Sequence, residues 1–289
     1  MASKKVLIFA AAIFTFIIFC GTSDAASYKR ILSLYPGHTD NIIALGGGGR
    51  LVAISKNDAP EVLPNLPRLT MKTGAEKILA LRPDLVIIRT LVEQQNPELK
   101  KVLTRSGVRV EVIDPPSWNG FDEYLMKLAP LVGSSPQKAQ KKLNNLRSVI
   151  IAKTANAKRK NGNKTPSVFI EATEKEIHTC APDSWAAHLI ELAGGENAAK
   201  SAVPSRKGSS IAPWGAEKAL KLAASGLNIY LIQNGVMNAS DRETFMKRPW
   251  SAAFKNVKVS VIRESYLSRP SLLGLEQGGK MLIKIFYEE

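Results

Sequence analysis

The chain has 289 residues, 40 Lys and Arg against 25 Asp and Glu, two cysteines and three histidines. That length fits one large domain or two lobes with a core that needs no covalent staples, and two cysteines exclude a disulfide-bonded scaffold. The formal net charge of +15 points to an anionic partner, whether ligand, membrane or polymer.

Residues 1–25 read as a cleaved signal peptide. Lys4 and Lys5 precede an apolar run from Val6 to Phe19, and small residues follow in "GTSDAAS". An anchor helix would need a longer apolar run and a stop-transfer flank. Cleavage after Ala25 puts Ser23 and Ala25 at the small-residue positions, and bulky Phe19 before Cys20 makes a poor lipoprotein site. Cleavage removes two lysines and one aspartate, so the mature charge is (40 − 2) − (25 − 1) = +14. Cys180 then stands alone.

Residues 26–120 form an N-terminal lobe. Its strand candidates are "RILSLY" (30–35), "LVAIS" (51–55), "DLVIIR" (84–89) and "VRVEVID" (108–114), separated by the helical patterns "TDNIIALGG", "GAEKILALRP" and "NPELKKVLTRSG". Continuous apolar strands alternating with amphipathic helices indicate a parallel sheet covered on both faces. The run "GGGGR" (46–50) lacks the Lys-Ser/Thr of a phosphate loop and reads as a turn. Residues 121–160 form a helical connector, interrupted at Pro130 and "GSSP", with Ser135 capping a second helix that Pro136 opens. Its basic end, "AKTANAKRKNGNK", has no interleaved aromatics and reads as a solvated helix end and loop, not a nucleic-acid surface.

Residues 161–289 restart the alternation with the strands "PSVFIEA", "LNIYLIQN" and "VKVSVIRE" and the helices "DSWAAHLIELAGG", "GAEKALKLAASG" and "LLGLEQGGKMLIKIFYEE". Asp183 and Ser184 offer N-caps and Gly194 a stop. The expected fold is α/β: two three-layer lobes with mostly parallel central sheets, joined by a long inter-lobe helix, with a ligand cleft between them. "GAEK" at 74–77 and again at 215–218 starts a helix that feeds a buried strand in each lobe. Glu76 and Glu217 each gain from the helix dipole in a first turn. As a pair, one per lobe, they would also engage arginines of a two-fold partner.

The order "RILSLYPGHTDNIIALGG", "GAEKILALRPDLVII", "APDSWAAHLIELAGGENAA", "RPWSAAFKNVKVSVI" and "SRPS" resembles the periplasmic substrate-binding proteins of iron-chelate, haem and cobalamin ABC importers. The resemblance covers essentially all of 29–286. It implies a cleft between lobes, no catalysis, no cofactor, and a monomer that docks on a membrane permease dimer. Glu76 and Glu217 match the docking glutamates; the second match lacks the usual Pro-Asp before its strand.

Ligands of open α/β sheets gather beyond the carboxyl ends of the strands. That rule selects Tyr35, Pro36, His38 and Thr39 after the first strand, Arg89, and from the second lobe His178, Asn234, Tyr266 and Arg269. The resemblance adds the loop of Met71 and Lys72. Arg89 and Arg269 offer planar forks for the carboxylates of a chelate or corrinoid, or serve as surface ion-pair residues. Tyr35, Tyr266, Trp185 and Trp214 are stacking surfaces or core, with Tyr266 and Trp214 favoured as contacts because they adjoin loops. His38 and His178 are axial ligands for a haem iron or hydrogen-bonded loop residues, and His188 is a helix residue. No His-rich loop or dense ligand pattern indicates a bare-metal site. A hydrolase lacks its G-x-S-x-G here. A ferric-siderophore-type chelate ranks first as ligand, a corrinoid second and haem third. A sensor or adhesin subunit on the same fold is a further alternative.

Overall fold

The computed structural model describes residues 28–288; the expected signal peptide, with Cys20, lies outside them. Five parallel strands build the N-terminal sheet: β1 (Ile31–Ser33), β2 (Leu51–Ser55), β3 (Arg68–Leu69), β4 (Leu85–Ile88) and β5 (Arg109–Val112), in the order β3-β2-β1-β4-β5. Four helices accompany them, α1 (Pro36–Ala44), α2 (Ala75–Leu79), α3 (Thr90–Gln95) and α4 (Pro97–Arg105). Pleating explains why the inner strands β2, β1 and β4 are almost wholly apolar, while β3 and β5 at the edges carry Arg68, Arg109 and Glu111. Ile31, Leu85 and Ile87 enter one core, while Leu32, Val86 and Ile88 enter a second core with Ile78, Leu99 and Leu103.

Two helices follow, α5 (Phe121–Leu131) and α6 (Pro136–Lys160). The Ser135 hydroxyl caps α6 by accepting from the Lys138 amide at 3.2 Å. The chain turns between them at Gly133, whose φ is +79°. A Cβ there would overlap the Arg50 guanidinium, so glycine serves both the turn and the close approach.

The C-terminal sheet comprises β6 (Ser167–Glu171), β8 (Glu196–Asn197), β10 (Ile229–Asn234) and β11 (Lys258–Arg263), all parallel, in the order β11-β10-β6-β8. An antiparallel ribbon joins β7 (His178–Cys180) to β9 (Ile211–Pro213). The helices are α7 (Trp185–Leu192), α8 (Ala216–Ala224), α9 (Arg242–Met246), α10 (Glu264–Leu267) and α11 (Leu272–Tyr287). "GAEK" opens α2 and α8 as expected. The ribbon was not expected: His178 begins a strand where a loop was read.

The connector is not a free rod. Ala139, Leu143 and Ile150 of α6 belong to a core that also takes Ile31 and Leu85 from the first sheet and Val168, Ile170 and Leu231 from the second. Helices α5 and α11 pack along α6, and one apolar core runs through both lobes.

Candidate functional site

At the carboxyl end of β1 the backbone stays extended through Tyr35, the N-cap of α1, and Pro36 takes the first helical position, where its missing N–H costs nothing. Two of the expected contacts then turn inward. His38 is fully buried: its Nε2–H donates to the Ile113 carbonyl at 2.9 Å, and Nδ1 accepts from the Tyr124 hydroxyl at 2.8 Å. Burial pulls its pKa down to about 4, so the ring is neutral and neither nitrogen is free for iron. Thr39 is equally buried, donating to Ser33 Oγ at 3.0 Å with Asp58 Oδ2 at 3.3 Å. We therefore leave both out of the ligand set.

Tyr35 and Arg89 do come together. Arg89 follows β4 as the N-cap of α3, and its guanidinium lies 4.7 Å from the Tyr35 ring centroid. Arg89 Nε is buried with no hydrogen-bond partner, and among the described residues no carboxylate pairs with this arginine. From the other lobe Arg269 is 9% exposed, with Nε 3.8 Å from Glu264 and a guanidinium N–H donating to the Asn57 carbonyl at 3.5 Å. Asn41 pins the lobes beside it: its Nδ2 donates to the Pro270 carbonyl at 3.0 Å, and its Oδ1 accepts from the Leu272 amide at 2.9 Å. An ion pair between Arg263 and Glu61 also crosses the junction.

Two buried carboxyls that sequence reasoning missed belong to this junction. Burial pushes Asp40 up to about 7, opposed by Arg269, and Asp58 up to about 6, opposed by the Thr39 hydrogen bond and Arg269. Burial likewise raises the Tyr35 phenol, against the fields of Arg89 and Arg269. Asp40 Oδ2 and Asp58 Oδ1 have no partner among the described residues. No spacing rule marked them, since each is one carboxylate in a short polar stretch.

A cavity of about 900 Å³ opens on the C-terminal lobe, lined by His178, Trp214, Trp250, Arg248, Lys218 and Glu174 among others. The ring of Trp214 packs 5.9 Å from Phe169 and 5.2 Å from the Lys218 ammonium, while its Nε1 is buried and unpartnered. His178 Nδ1 lies 3.0 Å from Thr173 Oγ1. One wall rests on a buried ion pair that was also missed. Glu171, last residue of β6 and 0% exposed, meets Arg248 at 2.5 and 2.9 Å, the Tyr230 hydroxyl at 2.5 Å and Asn238 at 3.2 Å.

The remaining expected contacts are dispersed. Asn234 donates to the Ser240 carbonyl at 3.0 Å and holds the turn after β10. Tyr266 stacks under Arg263, Met71 packs on the N-terminal core, and Lys72 is exposed. Trp185 is buried against Trp118 and Phe121, and His188 stacks on Trp118. Glu76 and Glu217 are both exposed in the first turns of α2 and α8, Glu217 with Lys221 at 2.7 Å. Burial raises the Cys180 thiol to about 12, which leaves it unreactive. Among the described residues, no three His, Cys, Asp or Glu side chains form a metal-holding group.

This architecture recurs in solved structures. A periplasmic heme binding protein from Pseudomonas aeruginosa superposes with a TM-score of 0.69 at 22% identity, covering 90% of this chain and 93% of that one. A possible iron-binding periplasmic solute-binding protein from Staphylococcus epidermidis gives 0.66 at 21%, covering 90% and 98%. Identities this low establish the fold alone, that of the two-lobed α/β binding proteins. The family described as Periplasmic binding protein matches residues 31–264, and the chain belongs to it. Among sequence relatives, a vitamin B12-binding protein of Vibrio vulnificus is 30% identical over 187 residues, covering 63% of this chain and 65% of its own length. An ABC transporter substrate-binding lipoprotein of Bacillus subtilis is 26% identical over 176 residues, covering 59% and 55%. The chain thus spans less than two thirds of the length of either relative.

Proposed function

We propose that this chain is the exported, monomeric binding component of an ABC importer. It captures a ferric-siderophore-type chelate between its lobes without turnover, then delivers it to a membrane permease dimer by docking through Glu76 and Glu217. The observation that carries the anionic ligand is Arg89, a half-buried guanidinium lying on Tyr35 with an unpartnered Nε and no carboxylate partner among the described residues. A cation so placed gains most from an incoming anion, because a charge-assisted hydrogen bond in a partly desolvated site is stronger than one in water. Arg269, Tyr35 and the Trp214 cavity supply the remaining polar and flat surfaces, in keeping with a pocket that fixes its ligand through few polar groups.

A corrinoid is the second reading, favoured by the relatives named vitamin B12-binding proteins at 28–30% identity. Haem stands third; it would use His178, the imidazole on the cavity wall. Visible spectra and equilibrium titrations of the purified protein with ferric hydroxamate, ferric citrate, cyanocobalamin and haem separate these readings. One-to-one binding of a ferric chelate is the expected result. Binding confined to haem and lost in His178→Ala would reverse the ranking, and turnover of any of these compounds would refute a binding role.

A further inference from the structure

Between residues 136 and 164 the chain carries Lys138, Lys141, Lys142, Arg147, Lys153, Lys158, Arg159, Lys160 and Lys164, and no Asp or Glu. Most of this segment is α6, 25 residues and so about 37 Å long. At 100° per residue, Lys138, Lys141, Lys142, Lys153, Arg159 and Lys160 fall within an arc of about 120°, opposite the buried Leu143–Ile150 side. All six are exposed. Arg147, on the far side, pairs with Asp122 at 2.8 Å, but none of the six has an ion-pair partner among the described residues. Lys142 alone has a named contact, donating to the Ala44 carbonyl at 2.6 Å. Val149, 47% exposed, stands in the middle of the arc.

Helix stability does not account for this face. Cations in the last turn complement the helix dipole, which explains Arg159 and Lys160. Lys138, Lys141 and Lys142 sit at the opposite end, where the dipole disfavours them, and they repel one another at spacings of three and four residues. Nor does the face resemble a nucleic-acid reader, which would interleave aromatic rings for stacking. It is a long strip of ammonium and guanidinium groups without ion-pair partners among the described residues, with an aliphatic side chain at its centre. A planar array of lipid phosphates is the surface such a strip complements.

We propose that the outer face of α6 is a peripheral membrane-binding surface that adsorbs the exported protein to anionic phospholipid. Binding is electrostatic and reversible, each cation near the surface strengthening it roughly fivefold, and it weakens as salt shortens the Debye length.

The test is sedimentation of the exported, processed protein with vesicles of phosphatidylcholine, with and without phosphatidylglycerol, at rising salt. The expected result is binding to the phosphatidylglycerol vesicles alone, reversed by salt. Replacing Lys138, Lys141, Lys153 and Arg159 together by Gln should lower it at least about a hundredfold, with the melting temperature and chelate binding unchanged. A charge-matched variant with Arg206, Lys207, Arg242 and Lys255 replaced by Gln should bind vesicles nearly as the wild type does. Equal loss in both variants would reduce the effect to net charge and overturn the assignment. So would wild-type adsorption by the α6 variant, or failure of the wild type to bind anionic vesicles.

Discussion

Both ring nitrogens of His38 are engaged inside the N-terminal lobe, while Asp40, two residues on, is buried with its Oδ2 unpartnered among the described residues. The two residues therefore bend stability in opposite directions with pH. A neutral buried imidazole with its pKa held near 4 favours the fold increasingly as pH rises from about 4 towards 6.5, where the unfolded histidine loses its proton. For Asp40 the folded pKa is raised to about 7, with Arg269 and Asp58 as the charges facing it. Its contribution is complete below the unfolded value near 4 and is lost as pH rises through 7. Asp40→Asn should accordingly stabilise the protein at pH 8 by about 1–3 kcal/mol and leave it unchanged near pH 4, as read by urea unfolding at the two pH values. The ion pair beneath the C-terminal cavity behaves differently. Arg248→Met strands the buried Glu171 carboxylate and should cost about 3–5 kcal/mol, with part of the loss recovered on adding Glu171→Gln. Arg89→Met should change the melting temperature little, since no carboxylate among the described residues is left unpaired and Met still packs on Tyr35, and weaken chelate binding roughly 10- to 100-fold in a titration.

Among the elements, those with a strong period were legible in the sequence. The strands β1, β2, β4, β6 and β10 stand out as runs of buried apolar side chains shared between the cores on the two faces of each sheet, and β11 by alternation at a sheet edge, with Ile262 buried and Lys258 and Arg263 exposed. Ser135 and Ser184 mark the starts of α6 and α7 because their hydroxyls accept from the Lys138 and Ala187 amides. The two-residue strands β3 and β8 and the β7–β9 ribbon left no comparable signal. Their positions are set by tertiary pairing, as where the Lys56 amide after β2 donates to the Leu69 carbonyl of β3 at 2.7 Å. The strand-end rule selects Tyr35, Arg89 and Arg269, which the fold gathers at the junction of the lobes. It also collected His38 and Thr39, because proximity to a strand end says nothing about which way a side chain turns. Close packing of α11 is equally hidden in composition. A Cβ on Gly278 would overlap the Tyr266 carbonyl oxygen and press on Leu189, so Gly278→Ala should destabilise the protein by about 2–3 kcal/mol in denaturant melts.

Across the whole molecule, the shared core sets how the lobes can move. The buried side of α6 joins the first sheet to the second, and Asn41 ties α1 to the start of α11. Wide opening would break both, so capture should proceed with small hinge displacements in a largely preformed cleft. On the proposed mechanism, delivery depends on Glu76 and Glu217, exposed in the first turns of α2 and α8. The most direct measurement is accumulation of iron-labelled chelate by cells whose only copy of this protein carries Glu76→Ala and Glu217→Ala. The expected result is a variant that binds chelate as tightly as the wild type when purified, in cells that take up none. Uptake at the wild-type rate by those cells would contradict it.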